Sequence, residues 1–375
     1  MALVPGRATG SQPPGDLVEF GRPSRQRPRL SSLLLTCLVA AAVVVVVSTR
    51  SGAHRPPPLP PPRPVAVTLV GHPILGIRAS WELFGLDRGG MVRVQFSRGQ
   101  ITRTTVPPLL SGGPVFFIAA DGEAIIRPLD NVPGYVVPDG KPARQLTGLL
   151  AQGGILLPGP TLTEQWFGRT SLELLGPGGK RVKARLAAVA RVWAPFWVIS
   201  DGAGGVVLVD MRSQVEEYDA RPGMLRPVSA QLVAVGPTTW LGMNCESGPC
   251  QDVVISAATG ASTALPGSPV SLTPWSSPLG AVAPDGLTAA VIVPGGSDVS
   301  TLELVSLSTG SRTRVAVTVS GPSSSRLAWS PDSRWLFVVT GNGRLDAVDS
   351  HTGRAQGLGL GVSGLTQIVI RPAAG

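Results

Sequence analysis

The feature that most constrains the fold is a stretch near the C-terminus whose turn residues divide it into four short predicted strands. This stretch runs from Ser325 to Gly361, with turns predicted at Pro331-Asp332-Ser333, Gly341-Asn342-Gly343 and Thr352-Gly353. Proline presets φ, aspartate accepts a hydrogen bond from the backbone two residues further on, and glycine takes the positive φ that closes a hairpin. The stretch therefore predicts a small antiparallel sheet with tight turns.

The second predicted strand of this sheet, Arg334 to Thr340, is apolar on both faces. Its two faces carry Trp335, Phe337 and Val339 on one side and Leu336 and Val338 on the other. A strand of this kind needs cover on both sides, which one four-stranded sheet of about 40 residues does not provide. Copies of the sheet packed radially provide it, and that arrangement is a β-propeller.

Weaker copies of the same unit precede it along the chain. The Thr-Gly turns at residues 259, 309 and 352 follow strands of similar pattern and lie 50 and 43 residues apart. Pro331-Asp332-Ser333 has a counterpart in Pro284-Asp285-Gly286. Dividing the 311 residues from 65 to 375 by about 44 per repeat predicts an all-β propeller of about seven four-stranded blades, with six or eight as alternatives.

The N-terminal region predicts a membrane anchor. Residues 1–29 are polar and rich in Pro, Gly and Arg, so a disordered tail is expected. Residues 30–49 carry no charge, and a helix of that length spans roughly 30 Å, the thickness of the hydrocarbon core of a bilayer. We interpret them as a transmembrane helix. The alternatives are a buried core helix and a signal peptide cleaved near Ser51-Gly52-Ala53.

The charges that flank this helix predict its orientation. Basic flanks stay in the cytoplasm, and the arginines on the N-terminal side are Arg22, Arg25, Arg27 and Arg29. The prediction is a single-pass protein of the cell membrane, with a cytoplasmic tail and an extracytoplasmic domain over residues 65–375. Residues 50–64 are Pro-rich and are expected to form a polyproline II linker, with a proline-recognition ligand as the alternative.

The formal net charge of +9 does not indicate a nucleic-acid-binding surface. Residues 1–29 contribute +3, and Arg50, Arg55 and Arg63 contribute another +3, so the remaining 311 residues carry only +3. A nucleic-acid interface requires basic residues concentrated on the folded domain. We therefore expect no nucleic-acid partner.

Two motifs of the last sheet, Trp329 to Leu336 and the Asp349-x-x-Thr352-Gly353 turn, carry a family resemblance. They resemble the bacterial extracytoplasmic β-propellers described as TolB-like or WD40-like, over about the last 130 residues. The Gly-His and Trp-Asp dipeptides of eukaryotic WD40 repeats do not recur here. The resemblance implies a propeller that binds or scaffolds other molecules, but it implies no particular ligand.

Eight tryptophans are spread over the predicted blades. They are Trp81, Trp166, Trp193, Trp197, Trp240, Trp275, Trp329 and Trp335. We interpret them as packing between blades, because one large ring per sheet fills an inter-blade core well. An aromatic platform for a sugar ligand is the alternative.

Cys245 and Cys250 are the only cysteines outside the apolar N-terminal segment, and they are separated by a Gly-Pro turn. In an oxidising exterior, two thiols this close in sequence are expected to form a disulfide that closes a hairpin loop. The alternative is a metal site, which would need two further ligands, and no histidine lies nearby in the sequence.

Residues suited to catalysis are scarce. From residue 65 onward the only histidines are His72 and His351, which argues against Ser-His-Asp hydrolysis and against His-built metal sites. Paired carboxylates in a central funnel remain a candidate acid and base. The aspartates considered are Asp87, Asp121, Asp201, Asp285 and Asp332, and each is better explained as a turn residue.

The sequence thus predicts a membrane-anchored extracytoplasmic β-propeller that acts as a non-catalytic binding or scaffold module for a protein, peptide or cell-envelope ligand. No cofactor and no metal are expected. The alternative hypothesis is an envelope hydrolase or lyase that acts on glycans or peptides with carboxylates in the propeller funnel.

Overall fold

The described part of the chain consists almost entirely of β-strands. The computed structural model describes residues 66–372 apart from 110–114, 131, 169–171, 177–178, 183–196, 210–214, 220–223, 229, 246–247, 268, 270–278, 296–298 and 322. The described residues contain no α-helix, and their 3₁₀ helices are Ile74–Gly76, Gly148–Ala151 and Ser324–Arg326. None of these described helices has the length and the apolar character that a membrane span requires. The predicted tail, transmembrane helix and linker lie outside the described residues.

The first strands of the chain form three separate sheets. Sheet I contains β1 (Ala66–Leu69), β2 (Glu82–Asp87), β3 (Gly90–Gln95) and β4 (Gln100–Thr105). Sheet II contains β5 (Val115–Ala120), β6 (Glu123–Pro128), β7 (Tyr135–Pro138) and β8 (Arg144–Gln145). Sheet III contains β9 (Ile155–Pro158), β10 (Gln165–Gly168) and β11 (Leu172–Leu175). Each is an antiparallel sheet, as short turns between consecutive strands require.

The following strands form four more antiparallel units. Sheet IV contains β12 (Trp197–Ser200), β13 (Val206–Val209), β14 (Val215–Asp219) and β15 (Met224–Val228). Sheet V contains β16 (Gln231–Val235), β17 (Thr239–Asn244), β18 (Gln251–Ser256) and β19 (Ser262–Ala264). Sheet VI contains β20 (Gly280–Val282), β21 (Thr288–Val293), β22 (Val299–Ser306) and β23 (Arg312–Ser320). Sheet VII contains β24 (Leu327–Trp329), β25 (Trp335–Val339), β26 (Leu345–Asp349) and β27 (Ala355–Gly357).

Two connections depart from this simple order. Sheets V and VI are joined into one eight-stranded sheet by a short parallel pairing of β16 with β20, at Ala234 opposite Gly280 and Val235 opposite Ala281. The last strand, β28 (Leu365–Arg371), returns to sheet I and pairs with β2 in antiparallel register. The two ends of the folded region therefore share one sheet.

The four strands and three turns predicted between Ser325 and Gly361 are confirmed as β24 to β27. In the first turn, the Ser330 hydroxyl accepts the Trp335 N–H at 2.8 Å, and Asp332 Oδ1 accepts the Arg334 N–H at 3.2 Å. Gly343 and Gly353 take the positive φ expected of them, 72° and 66°. Local turn chemistry thus determines where these strands begin and end.

Apolar cores occupy the spaces between consecutive sheets. The prediction that β25 is covered on both faces is confirmed, because Phe337 contributes to the core toward sheet I and Leu336 to the core toward sheet VI. Each consecutive pair of sheets from I to VII shares such a core. One pair of residues from each is Leu86 with Ile126, Ile125 with Phe167, Leu157 with Val206, Val207 with Trp240, Leu241 with Ala289, and Ile292 with Leu336.

The last sheet also packs against the first. Trp81, Phe96 and Phe337 form an aromatic cluster with ring centroids 4.6 to 5.7 Å apart, and this cluster joins sheet VII to sheet I. The packing interpretation of the tryptophans is confirmed where side chains are described: Trp81, Trp166, Trp240, Trp329 and Trp335 are all buried in inter-sheet cores. Trp193 and Trp275, and the side chain of Trp197, lie outside the described residues.

Candidate ligand-binding site

An open cleft of about 990 Å³ lies between sheets VI and VII. One wall is the C-terminal half of β23, from Ala316 to Ser320, and the opposite wall is the segment 357–363, which follows β27. The turn between β25 and β26 contributes Gly341 and Asn342. This volume lies at the upper end of the range typical of ligand-binding pockets, about 300 to 1,000 Å³.

The carboxylate of Asp346 lies where the apolar core between these two sheets ends. Side chains alternate along β26, so Asp346 shares a face with Val348, which is buried in the core between sheets VI and VII. Asp346 is opposite Val338 on one neighbouring strand and opposite Gly357 on the other. Because Gly357 has no side chain, the core stops at this level and the cleft begins.

The electrostatic surroundings of Asp346 do not favour its charged form. Burial raises the pKa of Asp346, and the positive charge of Arg344, which lies just before β26, lowers it to a smaller extent. Arg344 and Asp346 both line the cleft, but they do not form an ion pair. Among the described lining residues, Asp346 is the one carboxylate.

The wall formed by residues 357–363 alternates glycine with apolar residues. Leu358, Leu360 and Val362 pack against the core between sheets VII and I. Gly359 and Gly361 have positive φ values of 61° and 64°, and a Cβ placed on either would meet nothing within 4 Å. The apolar side chains therefore anchor this wall to the core between sheets VII and I, while the glycines leave its backbone uncovered by side chains.

The opposite wall has an exposed strand edge. β23 is the end strand of its sheet. The Gly341 N–H donates to the Thr318 carbonyl at 2.8 Å, which places the turn between β25 and β26 against this edge. The turn itself is stabilised by Thr340 Oγ1, which donates to Asn342 Oδ1 at 2.6 Å.

The five aspartates considered from the sequence lie in turns of five different sheets. Four accept backbone N–H groups two residues further on, at 2.8 Å for Asp87, 2.7 Å for Asp201, 2.9 Å for Asp285 and 3.2 Å for Asp332. Asp121 is exposed at the turn between β5 and β6. The turn interpretation is thus confirmed for four of them, and these residues do not line the cleft.

A second cluster of charged side chains, which we call the closing network, consists of Glu82, Arg93, Asp139 and Arg371. Glu82 Oε1 accepts Arg93 Nη2 and Gln95 Nε2, each at 2.6 Å. Asp139 Oδ2 pairs with Arg93 Nη2 at 2.9 Å and with Arg371 Nη2 at 2.6 Å, and Arg371 also pairs with Glu82. Glu82 and Arg371 are each only 7% exposed. Two cations and two carboxylates balance, so the network has no net charge.

The closing network connects β28 to its neighbours. Arg371 Nη1 donates to the Ala120 carbonyl in sheet II at 3.0 Å, and its guanidinium lies 4.8 Å from the centre of the Phe84 ring. Burial alone would raise the pKa of Glu82, but hydrogen bonds from Arg93 and Gln95, together with the charge of Arg371, lower it. The arrangement is that of a structural lock between sheets I and II.

The predicted disulfide is present. Cys245 and Cys250 are bonded, with their Cα atoms 4.1 Å apart, in the loop between β17 and β18. His351 is exposed in the turn between β26 and β27, as expected of a surface residue. Within the described ranges, no three His, Cys, Asp or Glu side chains are close enough together to hold a metal ion.

Asp346 was not among the candidate site residues identified from the sequence. One signal was available. A carboxylate at the start of a strand that is otherwise apolar on both faces, Leu345 to Val348, is costly to bury unless something compensates it. The glycine-rich run 357–361 that follows is a second indication, because glycines supply no side chain that could compensate the carboxylate.

The sheets, the inter-sheet cores and the return of β28 to sheet I define a β-propeller, with an open polar cleft between two of its sheets. Within that class the chain is similar to TolB-like and WD40-like propellers, as the sequence motifs indicate.

Comparison with known proteins agrees with this fold. No family model and no curated protein matches the sequence. A quinonprotein alcohol dehydrogenase-like protein from Bacteroides thetaiotaomicron is similar over 77% of this chain and 78% of that chain, with a TM-score of 0.50 and 13% identity. TolB from Acinetobacter baumannii is similar over 83% of each chain, with a TM-score of 0.42 and 13% identity. The WD40 domain of Neurospora crassa Pan2 is similar over 73% of this chain and 85% of that chain, with a TM-score of 0.44 and 12% identity. At these identities the likeness concerns the fold alone.

Proposed function

We propose that this protein is a non-catalytic binding module whose ligand, a protein, peptide or cell-envelope component, occupies the cleft between sheets VI and VII. The observation that carries the proposal is the Asp346 carboxylate, which lines a cleft of about 990 Å³ and has no ion-pair partner among the described residues. A partly buried carboxylate without a counter-charge is less favourable than a paired one, and a ligand that supplies the counter-charge relieves that cost.

Acid and base catalysis by paired carboxylates, which the hydrolase or lyase hypothesis requires, finds less support. Glycoside hydrolysis uses two carboxyl groups within about 10 Å of each other. The described part of the cleft contributes only Asp346, and four of the aspartates considered for the funnel are bonded within their own turns. Binding is therefore the function that the arrangement supports best.

The propeller is proposed to be a closed ring of seven blades. Sheets I to VII are the blades, and sheet I combines the first strands of the chain with β28. The support is the series of seven apolar cores, one between each pair of consecutive sheets and one between sheets VII and I. A ring leaves no blade with an uncovered apolar face.

The module is proposed to be held outside the cell membrane by the uncharged segment 30–49 and the Pro-rich linker 50–64. Tethering at the membrane raises the effective concentration of a ligand in the same envelope, so individual contacts can be weak. Limited proteolysis of intact cells tests this placement. Digestion of residues 65–375 without permeabilisation is expected, and protection of these residues until the cells are permeabilised would overturn it.

Chemical crosslinking followed by affinity purification of the full-length protein from membranes tests the binding function. The wild type is expected to retain one stoichiometric envelope partner. Gly357→Leu should lose it, because the new side chain enters the cleft; Gly357 has an ordinary φ, and its Cβ would meet only Asp346 Oδ1, at 3.5 Å.

Gly89→Leu is the control for this experiment, since Gly89 is exposed in a turn of sheet I and a Cβ there meets nothing within 4 Å. The control should retain the partner. Equal recovery of the partner with both variants would exclude the cleft as the binding site. Cleavage of a wall polymer by the purified protein would contradict the non-catalytic function.

A further inference from the structure

Corresponding positions in three consecutive sheets differ in what is opposite to them. Val253, Glu303 and Asp346 each lie six residues before the threonine of a Thr-Gly turn. Their cross-strand partners are Ala264, Arg314 and Gly357, in the same order. In sheet V an apolar residue is thus opposite an apolar residue, and in sheet VI a carboxylate is opposite a cation. In sheet VII the carboxylate of Asp346 is opposite a residue without a side chain.

Glu303 has cations around it. In addition to Arg314 on the opposite position, Arg312 Nη1 lies 3.6 Å from Glu303 Oε2. Asp346 has no equivalent, because Arg344 affects its pKa without forming an ion pair. In sheet VI, cations therefore lie beside the carboxylate at this position. In sheet VII the residue opposite the carboxylate is Gly357, which supplies no cation.

Backbone groups in one wall of the cleft beside Asp346 are also without partners. Within the described part of the chain, residues 359–364 take part in no backbone hydrogen bond, whereas Leu358 and Leu365 on either side donate to the Leu345 and Gly343 carbonyls at 3.1 and 3.0 Å. β23, on the other wall, is an end strand. An extended peptide carries alternating donors and acceptors that complement such backbone.

We propose, as an extension of the binding function above, that the cleft takes an extended peptide and that Asp346 binds the cationic side chain of a lysine or arginine in that peptide. The walls formed by β23 and residues 359–363 hydrogen-bond the peptide main chain, which supplies affinity without sequence preference. Asp346 supplies the selection, because it accepts a hydrogen bond from an ammonium or guanidinium group that enters the space above Gly357.

The test uses the full-length protein in detergent and two acetylated, amidated pentapeptides. One has a central lysine between alanines, and the other has norleucine, which keeps the length of lysine but lacks its charge. The lysine peptide is expected to bind at least about tenfold more tightly, since a hydrogen bond to a charged group stabilises a complex more than a neutral contact does. Isothermal titration calorimetry measures both affinities.

Asp346→Asn should remove the preference and leave both peptides with the affinity of the norleucine peptide. Asp121→Asn, which makes the same change of charge at an exposed position in the turn between β5 and β6, should leave the preference intact. Gly357→Leu should weaken both peptides. Equal binding of the two peptides by the wild type, or an unchanged preference in Asp346→Asn, would overturn the proposal. So would failure of both peptides to bind.

These outcomes are separate from those of the crosslinking experiment. A partner that is lost with Gly357→Leu while neither peptide binds would keep the binding function and reject the peptide ligand. If the Gly357→Leu variant still binds the lysine peptide selectively, this cleft is the binding site of neither the crosslinked partner nor the peptide.

Discussion

The closing network and the cleft each contain a carboxylate, Glu82 and Asp346, near the end of an inter-sheet core. The two carboxylates differ in the charged groups around them. Glu82 lies two residues before Phe84, which is buried between sheets I and II; Asp346 lies two residues before Val348, which is buried between sheets VI and VII. Glu82 is paired with two arginines, and its pKa is lowered. Asp346 has no such partner, and its pKa is raised.

The difference separates a structural use of charge from the binding role that we propose for Asp346. A buried carboxylate with complete compensation ties elements together and has nothing left to offer a ligand. A partly buried carboxylate without such compensation contributes little to the stability of the free protein and is able to bind a cationic group of a ligand. Stability and binding should therefore respond in opposite ways when the two residues are changed.

Glu82→Gln should produce the largest loss of stability. The variant keeps the shape of the side chain but leaves Arg93 and Arg371 to share Asp139 alone. Breaking a buried ion pair by removing one partner costs about 3 to 5 kcal/mol, and urea denaturation measures this loss. Glu123→Gln is the control, because Glu123 and Arg144 form a partly exposed and loosely spaced pair at 3.7 Å, worth less than about 1 kcal/mol. Equal losses for the two variants would show that the closing network is not a lock.

The dependence of stability on pH should have opposite signs for the two carboxylates. The folded pKa of Glu82 is lowered, so its contribution is present above the unfolded value of about 4.3 and is lost as the pH falls through the folded value. The folded pKa of Asp346 is raised, so protonation as the pH falls through that value favours the folded state.

Denaturation curves collected from about pH 6 to pH 3 measure both effects. Glu82→Gln should lose less stability on acidification than the wild type, and Asp346→Asn should lose more. Parallel pH profiles for all three proteins would contradict the assignment of opposite roles.

Much of the fold could be predicted from local signals, whereas the site could not. The turns at Asp332 and Gly353 are encoded by the residues in them, so β24 to β27 follow from the sequence. The pairing of β28 with β2 joins opposite ends of the domain, and no local pattern indicates it. The role of Asp346 depends on the missing side chain at Gly357 and on the position of β23 in another sheet. Those two facts become visible only when the sheets are packed.

Gly357→Arg should convert the cleft into a copy of the arrangement at Glu303. The new guanidinium would lie opposite Asp346, as Arg314 lies opposite Glu303. Cross-strand pairs of opposite charge contribute about 0.2 to 1 kcal/mol, so a rise in stability of that size is expected. The pKa of Asp346, measured by NMR titration, should fall, and the crosslinked partner should be lost. Gly89→Arg is the control and should change none of the three. An unchanged Asp346 pKa would show that the two positions are not equivalent.

Asp346→Asn should have the smallest effect on stability. The sign of that effect shows whether Asp346 has the structural role of Glu82 or a binding role. The substitution removes a charge that burial disfavours, so the free protein should become slightly more stable, by no more than about 0.5 kcal/mol, because the cleft is open and solvent screens the charge. Binding of the partner should weaken in the same variant. A residue that holds the fold together loses stability when it is changed, as expected for Glu82. A residue maintained for a ligand loses binding instead, and a fall in stability with unchanged binding would place Asp346 in the first group.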